Sequence, residues 1–186
     1  MKNSERLHEI ICARIPNITG TEPRISALAK MVIQDIRRSV GKFVKIEKIT
    51  APKIGEDFNT FKLPKKTIWL SAGTDAIPLL RYFTDSADGD RMLRLDTRMS
   101  FIRDWSGGDF KAFVEQTNVE IDTLPEDTYL QIEEVLIEGI VYYLYEGTPN
   151  VARQLNGSTN SGTRLERAKY NLINDIQFGM IVIQGD

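Results

Sequence analysis

An α+β fold is expected of this 186-residue chain: a helical bundle of about four helices, two N-terminal and two C-terminal, carrying an inserted small antiparallel β subdomain. Apolar residues spaced by three and four mark both ends of the sequence, whereas residues 43 to 122 alternate and are punctuated by turn residues. The expected boundaries are 1–42 with 124–179 for the bundle, 43–123 for the insert, and 180–186 for an apolar tail.

Leu7, Ile10, Ile11 and Ile15 predict a short first helix, with Asn3 or Ser4 as its cap and Pro16 beyond its end. Thr21-Glu22-Pro23 reads as the next helix start, since Thr21 can accept from exposed amides and proline is tolerated in the first turn. Ile25, Leu28, Ala29, Val32, Ile33, Ile36 and Val40 then form one apolar face, and Gly41 suits the exit.

Phe43 to Ile49 alternates as a half-buried strand does, and Thr67–Leu70 and Ile77–Thr84 are further strand candidates. Tyr82–Thr84 and Met92–Leu95 flank an Asp88-Gly89 pair, which predicts a hairpin. Phe101–Trp105 precedes Gly107-Gly108, and Val119–Asp122 alternates again.

Helical spacing returns after Leu124-Pro125, with Tyr129, Ile132, Leu136, Ile140, Tyr143 and Leu144 on one face until Gly147-Thr148-Pro149. Asn156–Gly162 has loop composition. Thr163-Arg164-Leu165-Glu166 is a capping-box pattern for a last helix carrying Leu165, Ala168, Leu172, Ile173 and Ile176. The apolar tail Met180–Ile183 must either add a strand to the chain's own sheet or dock on a partner.

Charge is divided unevenly around a net of −2. Met1 to Thr67 holds fourteen Lys/Arg against seven Asp/Glu, while Ala112 to Ala152 holds nine acids and no base. Such a chain has ends that suit each other across copies, and little reason to bind a polyanion with its whole surface. Solvated helix faces whose charges happen to segregate would give the same pattern. One cysteine, Cys12, leaves no intrachain disulfide. Ile132–Leu144 is interrupted by Glu133, Glu134 and Glu138, so no membrane helix is expected. Met1–Arg6 lacks the apolar core of a signal peptide, and synthesis in the cytoplasm is expected.

Signs of catalysis are poor, and the chain is not expected to be an enzyme or to hold a metal or cofactor. His8 is the single histidine, and Cys12 stands where the zinc-protease spacing needs a second one. Asp85–Asp90 lacks the closing glutamate of a calcium loop. Lys66-Thr67 has no preceding glycines to cradle a phosphate. Glu126, Asp127, Glu133 and Glu134 read as acids on an amphipathic helix. Arg37, Arg38, Lys42 and Lys45 form a modest basic cluster, which leaves a small regulatory or nucleic-acid-binding protein as the alternative.

Leu124-Pro125-Glu126-Asp127-Thr128-Tyr129 leading into Ile132–Tyr145, and the Thr163–Phe178 helix after its polar loop, complete a layout that resembles a known family. It is similar to the head–tail adaptor (connector) proteins of tailed bacteriophages, especially the rings beneath the portal in short-tailed phages. The resemblance implies a structural virion protein at the head–tail junction, in a homo-oligomeric ring of about twelve copies. That ring extends the DNA channel, meets portal and tail proteins, and touches passing DNA only non-specifically. It further implies a basic subunit face at Arg37, Arg38, Lys42 and Lys45, and an acidic one at Glu126, Asp127, Glu133 and Glu134. Phe178, Met180, Ile181, Val182 and Ile183 would be the portal-docking tail.

Overall fold

Helix α1 (Asn3–Arg14) starts from Lys2, whose backbone amide donates to Glu5 Oε2 at 3.0 Å and so ties the first turn to its own third residue. Asn3 and Ser4 are not the cap expected of them. They sit inside the first turn and make tertiary bonds instead, Asn3 Nδ2 donating to the carbonyls of Ile121 and Leu124 and Ser4 binding Asp122. The computed structural model describes residues 2–15, 22–50, 59–72, 77–78, 83–85, 91–95, 109–146 and 157–184. Thr21, the Asp88-Gly89 turn, Phe101–Trp105, Gly107-Gly108 and Gly147–Pro149 lie outside the described residues.

Helix α2 (Glu22–Ser39) buries Ile25, Ala29, Val32, Ile33 and Ile36, the stripe its spacing predicts. Gly41 ends it at a close approach: a Cβ there would lie 2.6 Å from Ile176 Cδ1 and 2.8 Å from the Gly179 carbonyl oxygen. Strand β1 (Lys42–Thr50) follows, and the Lys42 amide donates to that same carbonyl at 2.9 Å.

The chain divides into two compact units, Met1–Phe43 with Thr117–Ile183, and Val44–Gln116 with Gln184–Asp186. The second unit holds the antiparallel β subdomain. Strands β1, β3 (Thr67–Ala72), β4 (Ile77–Pro78) and β7 (Asp109–Glu115) run in the order β4-β3-β7-β1. Their pairings are all antiparallel, with β1 and β7 in register from Val44 opposite Glu115 to Thr50 opposite Asp109. A separate sheet orders β2 (Asn59–Leu63), β6 (Arg91–Leu95) and β5 (Phe83–Asp85) as β2-β6-β5, again antiparallel. The hairpin arms expected around Asp88-Gly89 are β5 and β6. Strands β2 and β7 were not anticipated.

In the helical unit Val119–Asp122 is not a strand. Ile121–Thr123 forms one 3₁₀ turn, closed by Leu124 N–H donating to the Ile121 carbonyl. The alternation there reports one-sided burial of Val119 and Ile121 against the helical core, not pairing with a neighbouring strand. Helix α3 (Glu126–Glu146) buries Tyr129, Ile132, Leu136, Ile140 and Leu144 at the centre of that core. Gly139 lets α2 approach closely: a Cβ would lie 2.7 Å from Val32 Cγ2.

Helix α4 (Gly157–Asp175) already includes residues 157–162 of the segment read as a polar loop, whose Asn156 lies outside the described residues, so Thr163–Glu166 lies in its interior and caps nothing. Burial of Ser161 on the same face as Leu165, Ala168 and Leu172 carries the helix through this turn-rich stretch. Ile173 falls off that face and is 45% exposed. Gln177–Met180 is a tight turn into β8 (Met180–Gln184), with positive φ at both Phe178 (54°) and Gly179 (65°). This is the pattern of a type I′ turn.

Candidate assembly surfaces

The acidic helix α3 and the basic N-terminal region meet inside one chain. Arg6 Nε lies 2.9 Å from Glu133 Oε1, and the Arg6 guanidinium stacks over the Tyr129 ring at 5.5 Å from its centroid. About two helical turns further along α1, Arg14 pairs with the buried Glu138, whose other carboxylate oxygen has no hydrogen-bond partner among the described residues. Ser4 holds Asp122 through both its amide (2.8 Å) and its hydroxyl (2.9 Å). Together these contacts fasten α1 along α3 and to the 3₁₀ turn that precedes it. The Tyr129 hydroxyl is itself buried without a hydrogen bond of good geometry among the described residues. Burial, followed by the neighbouring Glu133 carboxylate, pushes this phenol well above its ordinary value, with Arg6 opposing.

Four acids singled out on α3 therefore divide. Glu133 belongs to the α1–α3 seam, while Glu126, Asp127 and Glu134 are exposed and make no ion pair among the described residues. The basic cluster divides as well. Arg38 is exposed at the end of α2, and Arg37 is half-buried with Nη1 3.4 Å from Gln34 Oε1. Lys42 is exposed at the start of β1, and Lys45 is half-buried in the β unit.

The C-terminal segment also splits by exposure. It is a strand of the chain's own fold: Ile181 is fully buried in the helical core and Met180 is buried, while the Val182 carbonyl accepts from the Thr128 hydroxyl at 2.8 Å. Ile183 is half-buried against the core. Two side chains of this set face out, Phe178 at 58% exposure and Val182 at 38%.

His8 Nε2 and Cys12 Sγ are 3.5 Å apart, one turn along α1. Among the described residues no group of three or more His, Cys, Asp and Glu is placed to hold a metal ion. Within the same set, no helix is long and apolar enough to cross a membrane. Sequence reasoning missed the partners of Glu133 and Glu138, because Arg6 and Arg14 are more than a hundred positions away. It also passed over the outer side of α4, where Arg164, Arg167, Tyr170 and Ile173 recur every third residue and are all exposed. That spacing was the available signal. No protein-family model, curated protein or solved structure matches the chain.

Proposed function

We propose that this chain is a structural subunit of a bacteriophage head–tail adaptor: a ring between portal and tail that extends the DNA channel. One observation carries the reading. The charge segregation remains as outward surfaces after the internal pairs are counted, acidic at Glu126, Asp127 and Glu134, and basic at Arg38. Unlike patches on one chain favour head-to-tail association of copies, which closes when the rotation allows. The helical bundle with its β insert is compatible with the adaptor layout. In this reading Phe178 and Val182 are the part of the tail that meets the portal, and Ile181 anchors the strand that presents them.

Mass measurement of the pure chain, alone and with a portal protein, tests the proposal. A closed oligomer of defined copy number is expected, stabilised by the portal. A chain that stays monomeric with the portal, and is missing from purified virions, ends the adaptor reading. Salt-dependent DNA binding by such a monomer would move the assignment to a nucleic-acid-binding protein. Within the ring reading, Arg38→Glu is expected to weaken assembly and lower its rate, since exposed charges act mainly on encounter and register.

A further inference from the structure

Two exposed faces of the helical unit are complementary in both charge and apolar content. The first covers the opening turns of α3, where Asp127, Leu130 and Glu134 fall on one side at spacings of three and four, with Glu126 beside them. Leu130 is 45% exposed, and the three acids have no cation partner among the described residues. Beyond Glu134 the same side of the helix turns inward, since Glu138 and Val141 are buried. The strip is therefore short: an apolar knob framed by three carboxylates.

The second face is a ridge on α4. Arg164, Arg167, Tyr170 and Ile173 occupy one i+3 row, the kind of row that packs into a facing helix's groove. All four are exposed, Tyr170 at 65% and Ile173 at 45%, and neither arginine has an ion-pair partner among the described residues. Arginine with tyrosine is the composition that concentrates binding energy at interfaces, and a guanidinium fork matches a carboxylate in geometry as well as charge.

We propose that the α3 strip of one copy docks on the α4 ridge of a second copy of this chain. The complement of each face is present on the chain itself, and both faces are left unpaired among the described residues. Leu130 packs beside Tyr170 and Ile173, and the acids meet Arg164 and Arg167 at the rim. The inference takes the partner and the acidic strip from the ring reading and assigns the α4 ridge as the surface that strip contacts, with Arg38 left to act on encounter.

A charge swap in the full-length chain tests it. One variant carries Asp127→Lys with Glu134→Lys, and the other Arg164→Glu with Arg167→Glu; all four positions are exposed, and circular dichroism checks that both fold. Each variant alone presents like charges at the junction. Its association, followed by sedimentation, is expected to weaken by roughly tenfold or more relative to the unmodified chain. Mixing the two variants in equal amounts pairs opposite charges again and restores association.

Variants that associate as well as the unmodified chain overturn this interface and leave the ring reading standing. So does a mixture no better than its parts. A swap-dependent assembly that stops at two copies keeps the interface and removes the ring. An unmodified chain that stays monomeric at every concentration removes both.

Discussion

Phe178 stands in a backbone conformation that disfavours it. Both central positions of the Gln177–Met180 turn have positive φ, and only Gly179 is built for that. A bulky residue in the left-handed region costs about 1–2 kcal/mol, so an exposed phenylalanine there is held against local preference. Phe178→Asn is expected to keep or raise stability, by up to about 1 kcal/mol in urea titration. In the proposed adaptor reading the same change is expected to weaken portal binding, and unchanged binding removes Phe178 from the proposed docking surface.

Tyr129 makes a pH prediction. Its phenol is raised above the ordinary value of 10.0 in the folded chain, so the unfolded chain loses that proton first as pH rises. The contribution is whole below pH 10 and is lost progressively above it. Tyr129→Phe is expected to flatten the fall in melting temperature across that alkaline range. An equally steep fall in the variant would assign the loss to other groups.

Among the elements, the α2–α3 crossing is sharply constrained. Gly139→Ala gains helix propensity of up to about 1 kcal/mol, but its methyl would lie 2.7 Å from Val32 Cγ2. Val32 is β-branched and fully enclosed, so it has no free rotamer to yield into. Net destabilisation of about 1–3 kcal/mol is expected by denaturant titration. Adding Val32→Ala should recover part of the loss, and failure to do so would place the clash elsewhere.

Long periodic segments were legible in the sequence for the same physical reason. α2 buries one stripe along its whole length, so its residues report their own structure. α4 was legible only from Leu165 onward, because Gly157–Gly162 has turn-forming composition and is helical through the burial of its Ser161 face. Val119 and Ile121 misled because alternation records which side is buried, and a helical core buries one side as well as a sheet does. The site was less legible than the fold. Glu133 and Glu134 are adjacent acids of similar surroundings in sequence, and only packing of α1 decides that one is paired and the other faces water.

For the whole molecule, the charge imbalance between the two ends of the sequence is partly settled within the chain by Arg6–Glu133 and Arg14–Glu138, both joining α1 to α3. What remains outside is smaller and more local than the sequence totals indicate, and it is this remainder that the proposed assembly would use. The β1–β7 register has a consequence for how the chain reaches this state. Val44 lies opposite Glu115, so the β subdomain clasps its own two ends together.

Once that clasp forms, α2 and α3 are tethered as if by a short hairpin, and the entropy of closing the long intervening loop no longer falls on the helices. The insert then acts as a folding scaffold as well as a domain. Replacing residues 45–114 with a short glycine-rich turn should leave a helical unit that folds cooperatively in circular dichroism. Weakening the β1–β7 clasp in the intact chain should instead slow the assembly of α2 on α3. A single pairing thus makes the subdomain a removable part and, while present, the chaperone of its own host.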